Sequence, residues 1–554
     1  MKLLLTKYKH PLWMWLAFSI FTFTIYYPAH NMCVYDDLIN FYAAVKKIGW
    51  VGIQNSFGYS SNYYTHNLLM ISLYKVFSIH QIYYYIVGCV WHAGNTTLFY
   101  FLLKKWMHFF GNFRNKYLPI LASIYWIVCC TQIENIVYMG TLQYQYALSI
   151  LLVVLHYFTL WSQGYSIAVF KIILLNLFYL SGFFAQEICI LFPFILVAIM
   201  LWWKLLKISK QSWKQFYIQI FIPMIFYVLI YFLWHYFIFR NFLPHYGQMH
   251  LQGYHLPFIT EQFSINIFKN ILLVGFLPIE LRTWFYAMAK NTYWMLALWL
   301  SVAGILIYIA KRQSKQSAIN TAFLIILFLI LYAPSANFVC YVLDINANDR
   351  LMFFAKLLIV IISFILLDTS KKVVILFSVF YLTIHLILLQ IGIKQYQGAS
   401  IILKNLTSTI TVKQNEKVLF LNLPYQFKGV NLCRYSYSIA HYLNVFRNID
   451  LSNNYVCIAR QVRLNESQNT KIIKVNDSTI RVENMQLDEW YNMDGTQQKS
   501  SVDSFYKIAT TDGINGYQLS ISSNPKNLRL LYLNDIGFQE FHLATDSFVH
   551  IFHR

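Results

Sequence analysis

The chain has 554 residues, of which 58% are hydrophobic, 19% aromatic and only 12% charged, far below the roughly 25% charged usage of soluble globular domains. That excludes an ordinary soluble protein and marks a membrane protein. The formal charge of +21 does not indicate a nucleic-acid reader, because most Lys and Arg lie in short loops between apolar runs, where they report topology.

At the N-terminus Lys2, Lys7 and Lys9 precede an apolar run from Pro11 to Pro28. The run is long enough to span and no small-residue cleavage site follows, which favours a first transmembrane helix over a signal peptide. Since about 20 apolar residues cross a bilayer, spans are expected near 11–28, 81–103, 117–133, 142–160, 165–182, 188–203, 216–239, 293–310, 319–334, 351–368 and 373–393, about 11 spans. With a cytoplasmic N-terminus, the even-numbered spans return at Lys104-Lys105, at Lys204, Lys207, Lys210 and Lys214, at Lys311-Arg312 and at Lys371-Lys372. These loops obey the positive-inside rule.

The first 395 residues hold nine acids: Asp36, Asp37, Glu134, Glu187, Glu261, Glu280, Asp344, Asp349 and Asp368. On this topology all but Asp368 face outward. Chemistry is therefore expected on the extracytoplasmic face. Residues 29–80 should carry two helices along the membrane surface, Asp37–Gly49 and about Tyr63–Ile79. Residues 240–292 form a second long outer segment, broken by Pro244, Gly247, Gly253 and Pro257.

After Lys394 the composition turns polar. Alternating runs at Val418–Leu421, Tyr455–Ile458, Thr479–Val482, Leu528–Tyr532 and Phe538–His542 predict strands, with one helix near Tyr435–Val445. The fold class is thus mostly α: a polytopic transmembrane helical bundle over residues 1–395, and an extracytoplasmic mixed α/β domain over 396–554.

The adjacent carboxylates Asp36 and Asp37 follow the first span. Repulsion and partial burial can raise one pKa so that the group serves as a general base, while its neighbour orients an acceptor or binds a divalent metal. The alternative is that they cap the surface helix that follows. Arg350, Arg282 and Arg240 offer fixed forks of donors for a phosphate, or anchor helix ends at the interface. Lys269 and Lys290 stand beside them as lesser candidates. Glu134 and Glu187, at span ends, either bind sugar hydroxyls or satisfy helix termini. His245, His250 and His255 recur every five residues, which is not a metal-ligand spacing, and the eight Cys show no metal pattern.

Together these features resemble the GT-C superfamily of polytopic glycosyltransferases. The acidic pair Asp36-Asp37 follows the first span; Ile133 to Gly140 with Gln143-Tyr144-Gln145-Tyr146 looks like the family's outer turn between spans three and four. Ser181 to Pro193 looks like the next outer turn, and Pro334 to Arg350 like the late phosphate-side loop. The resemblance implies a bacterial-type enzyme of the plasma (inner) membrane that takes a sugar from a polyprenyl-phosphate carrier, with inversion. The acceptor would be a cell-surface glycan, lipid or protein, and Asp36 or Asp37 the base. No WWDYG-type signature is present, which argues against transfer to Asn. A surface-polysaccharide polymerase or flippase-like protein, or a transporter, remains the alternative.

Overall fold

The computed structural model describes residues 2–27, 64–110, 116–240, 264–265, 267–269, 273, 279–289, 291–312, 315–333, 353–367, 371–410, 417–427, 430–433, 438–449, 455–457, 462–464, 470–484, 500–502, 506–510, 516–521, 528–534, 537–542 and 547–550. Two compact units emerge, one holding the helices up to Gly392 and the other built mainly from Ile393 onward. The described structure is mostly helical, with strands confined to the second unit.

In the first unit the helices are α1 (Lys2–Tyr26), α2 (Tyr64–Phe77), α3 (Gln81–Phe110), α4 (Leu118–Val128), α5 (Ile133–Val137), α6 (Leu142–Ser162), α7 (Val169–Phe183) and α8 (Phe192–Leu205). They continue as α9 (Trp213–Phe216), α10 (Ile222–Phe239), α11 (Ile279–Ala289), α12 (Thr292–Arg312), α13 (Lys315–Tyr332), α14 (Phe353–Leu367) and α15 (Lys371–Thr409). Local sequence sets several starts. Prolines occupy the first turns of α4, α8 and α10, where no backbone donor is lost, and Ser212 with Gln215 forms a capping box before α9.

Five helical segments among the described residues are long and apolar enough to cross a membrane: Gln81–Met107, Leu142–Ser162, Glu187–Leu205, Trp213–Ile238 and Ser378–Asn405. A bent pair, Leu118–Val128 with Cys130–Val137, raises the number to six. The described residues thus support five or six spans and not the expected eleven. The remaining predicted spans are helical but short. At 1.5 Å per residue, the 15 residues of α7 reach only about 22 Å, against a hydrocarbon core of about 30 Å. Among the described residues, Thr292–Gly304 of α12 and Ala318–Tyr332 of α13 are further apolar helical segments, shorter than a full span.

The core of this unit is aromatic. Trp106 sits edge-on to Trp202 and Trp203, with ring centroids 6.0 and 6.1 Å away, and Phe158 stacks on Trp203 at 5.4 Å. The indole of Trp202 finds its partner in Asn320 Oδ1 at 3.0 Å.

Among its described residues the second unit carries thirteen strands, the end of α15 from Ile393 on, and one further helix. The predicted strands correspond to β1 (Lys417–Phe420), β4 (Tyr455–Cys457), β7 (Thr479–Asn484), β11 (Leu528–Asn534) and β12 (Gly537–His542), and the helix to α16 (Ser438–Arg447). One five-stranded sheet has the order β13-β12-β11-β1-β4, with β13 at Ser547–His550; β1 runs parallel to both β11 and β4. The other has the order β6-β7-β10-β9-β8, all antiparallel, and contains β6 (Thr470–Asn476), β8 (Ser500–Val502), β9 (Tyr506–Thr510) and β10 (Gly516–Ile521). A small sheet, β3-β2-β5, completes the set, from Val430–Asn431, Pro424–Phe427 and Val462–Leu464. The two large sheets share a core in which Leu419 and Leu530 meet Ile480, Val482 and Leu519, and Tyr517 donates its hydroxyl to Leu421 O at 2.6 Å. Arg447 Nη1 reaches the carbonyls of Thr407, Ser408 and Ile410 at 2.8, 2.9 and 2.8 Å, satisfying acceptors at the end of α15.

Candidate functional site

The bent segment between α4 and α6 gathers buried polar side chains, with Thr131, Gln132, Glu134, Asn135 and Thr141 all enclosed. Cys129 adopts an extended conformation (φ −61°, ψ 106°), which stops α4. A turn of 3-10 helix, Cys130–Gln132, leads into α5, and a second, Met139–Thr141, into α6. The chain turns by 57° at the break. Gly140 is required there, because a β-carbon would collide with the Tyr138 ring.

Four helices pin this segment. Asn95 of α3 donates to Gln145 O and Oε1, both at 2.9 Å, while Gln145 Nε2 donates to Asn135 O at 3.1 Å and lies 3.3 Å from His92 Nδ1. Ser149 extends the chain, donating to Asn95 Oδ1 at 2.7 Å and accepting from Trp91 Nε1 at 2.9 Å. From α14 the buried Lys356 donates to Thr131 O at 2.7 Å. From α15 His385 Nδ1 accepts the backbone N–H of Cys130 at 3.3 Å, so its Nε2–H is directed to the Tyr125 hydroxyl at 2.9 Å.

Within this frame Gln132, Glu134 and Asn135 are each at most 2% exposed. Among the described residues, neither side-chain polar atom of Gln132 and neither of Asn135 has a hydrogen-bond partner. A bare buried polar group costs about 1–3 kcal/mol, and native proteins hold few of them. Two whole amides on one short segment are thus without a partner among the described residues.

A second group lies at the same end of the bundle. The first turn of α6 meets the last turn of α7 through the Tyr146 and Ser181 hydroxyls, 2.6 Å apart. Gly182 allows α7 to approach closely; a β-carbon there would sit 2.8 Å from Cys189 Sγ and from Ile150 Cδ1. After α7, Gln186 Oε1 accepts the Glu187 backbone N–H at 2.9 Å and starts the 3-10 turn Glu187–Leu191. Glu187 Oε1 and the Tyr231 hydroxyl are both buried without a hydrogen-bond partner among the described residues. Helix α2 docks here, with Thr65 N and Oγ1 donating to Phe184 O at 3.0 Å and to Ser181 O at 2.9 Å. Tyr64 packs edge-on to Trp234 at 5.3 Å, and Phe184 to Trp234 at 4.8 Å. The result is an aromatic wall beside a carboxylate. Burial pushes the neighbouring His66 down to about 4, and its buried Nδ1 has no partner among the described residues.

Of the residues singled out from sequence, Glu134 and Glu187 are thus both placed at this end, in company. Asp36, Asp37 and Arg350 lie outside the described residues. Arg282 falls within α11. Arg240 closes α10 in a left-handed conformation (φ 56°, ψ 25°), its N–H donating to Tyr236 O at 2.8 Å and its side chain exposed. Lys269 is buried. Among the described residues no three His, Cys, Asp or Glu side chains gather as a metal site would require.

Gln132, Asn135, Gln145 and Lys356 were not among the residues expected to bind ligand. Lys356 had a readable signal: it is the one charge within the apolar stretch Phe353–Leu367, and a charge in such a stretch flags function. No family model, no curated protein and no solved structure matches the chain.

Proposed function

We propose that the protein is an integral-membrane glycosyltransferase that moves a sugar from a polyprenyl-phosphate carrier to a surface glycan, lipid or protein on the extracytoplasmic face. The observation that carries this reading is the pair of bare, buried amides of Gln132 and Asn135 flanking Glu134 on a broken helix. Sugar hydroxyls both donate and accept, as amides do, and a carboxylate accepts from two hydroxyls at once. The aromatic wall of Tyr64, Phe184 and Trp234 beside Glu187 supplies apolar faces of the kind on which sugar rings stack.

In this reading Asp36 or Asp37 takes the proton from the acceptor hydroxyl as its oxygen attacks the anomeric carbon and the carrier phosphate leaves. Arg350, Arg282 and Arg240 are the cations proposed for that phosphate. The N-terminus is cytoplasmic and the strand-rich unit extracytoplasmic, an orientation that rests on the lysines of the connecting loops.

The test replaces Asp36 and Asp37 singly by Asn and measures sugar transfer from a polyprenyl-phosphate donor in membranes. Loss of a general base lowers the rate about 10²- to 10⁴-fold. Full activity in both variants, with expression matched, would sink the base assignment. The 57° break in a candidate span also favours a second reading, since transporters bind substrate at discontinuous helices. Donor-independent solute uptake by vesicles containing the protein, without sugar transfer, would decide for it.

A further inference from the structure

A cavity of about 540 Å³ lies between α6, α7, α8, α9 and α10, at the opposite end of the bundle from the bent segment. This is the size of a ligand pocket, which runs about 300–1,000 Å³. Its inner wall is apolar, with Val154, Phe158, Leu175, Leu196, Ile220 and Met224. The exposure of Tyr165 and Ile172, both on its lining, opens it to the surface. Alongside, α7 presents Val169, Phe170, Ile173 and Leu177 as exposed apolar side chains, the surface a bilayer would cover.

The rim has a different chemistry. Gln219 Oε1 accepts from Trp161 Nε1 at 2.8 Å and Gln215 Oε1 caps Ser212, so both carbonyls are engaged. No described residue accepts from either amide nitrogen. Asn176 and Tyr157 also line the cavity without a hydrogen-bond partner among the described residues. The rim therefore offers amide donors from Gln215, Gln219 and Asn176, beside the acceptors of Asn176 Oδ1 and of Gln211, whose Nε2 donates to Trp161 O at 3.1 Å. Its charge is of one sign as well. Lys210 lies over Gly164, with Cδ 3.9 Å from where a β-carbon would be, and Lys214 is exposed next to the rim residue Gln215. From Ile188 to Phe239 the chain has four lysines and no acid.

We propose that this cavity is a binding site for an anionic glycerophospholipid of the surrounding bilayer. One acyl chain fills the apolar interior, the ester carbonyls accept from Asn176, Gln215 and Gln219, and the headgroup phosphate sits by Lys210 and Lys214. An apolar chain, several acceptors and a negative charge occur together in such a lipid, and basic pockets between membrane helices bind anionic headgroups. The site is independent of the chemistry at the bundle's other end.

The experiment is native mass spectrometry of the full chain in nonionic detergent, with phosphatidylglycerol and phosphatidylcholine of equal chain length added in turn. Phosphatidylglycerol adducts should dominate, and Lys210→Gln and Lys214→Gln should each weaken them roughly fivefold, about 1 kcal/mol per lysine. Asn176→Trp, which fills the mouth, should abolish them while the variant melts like the wild type. If that variant does not fold, Gln219→Trp on the exposed rim takes its place. Lys75→Gln, on α2, should change nothing. Equal retention of the two lipids, or adducts that survive the tryptophan substitution, would overturn the proposal; so would displacement of the lipid by inorganic phosphate alone.

Discussion

Replacing Gln132 by Met and Asn135 by Leu should stabilise the free protein while impairing its activity. Both side chains are fully enclosed and all four of their polar atoms lack partners among the described residues. Each bare amide costs about 1–3 kcal/mol in the unliganded state, and an apolar group of similar volume removes that cost without opening a cavity. The backbone contact from Gln145 to Asn135 O survives either change. Each single variant should therefore gain about 1 kcal/mol or more, seen as a later unfolding midpoint in detergent with ligand absent. Transfer from a polyprenyl-phosphate donor should meanwhile fall at least tenfold, since each lost ligand hydrogen bond is worth about 1 kcal/mol or more. Such an opposition of stability and activity belongs to binding sites and not to structural polar cores. Earlier unfolding of both variants would refute the reasoning, because it would mean that the amides support the bent segment.

Three further outcomes follow from particular contacts. His66 is held at about 4 against an ordinary 6.5, so the unfolded chain binds the extra proton first and stability falls as pH drops from 6.5 towards 4. The full effect is about 3 kcal/mol; it should be absent from His66→Phe, so the difference in unfolding free energy between wild type and variant should fall by that amount as pH drops across the range. Gly140→Ala should cost about 1–3 kcal/mol by overpacking against Tyr138. Combining it with Tyr138→Ala, which removes the obstructing ring, should cost less than the sum of the single changes in the same unfolding assay. Arg447→Met should strip three carbonyls at the end of α15 of their shared donor. Amide exchange at Thr407–Ile410 should speed up, with about 1–3 kcal/mol lost.

The helices were legible because long apolar runs announce themselves, and the strands β1, β4, β7, β11 and β12 because their alternation is clean. The strand β6 has no clean alternation because Lys471 and Lys474 interrupt its apolar pattern, and β9 and β10 are defined by their antiparallel pairing across the sheet. The break at Cys129 is the instructive case. No proline or glycine marks it; the helix stops because His385, Lys356 and Gln145 capture the backbone of the segment from other helices. Such capture is tertiary, made by residues up to 255 positions away, and no local window contains it. The same holds for the site. Gln132 and Asn135 look like ordinary loop polars beside Glu134, and only their enclosure distinguishes them from solvated side chains. A carboxylate stands out in an apolar sequence by its charge, whereas a buried amide stands out only by what fails to surround it. The acids are therefore legible in the sequence, and the amides, on which the proposed recognition depends, are not.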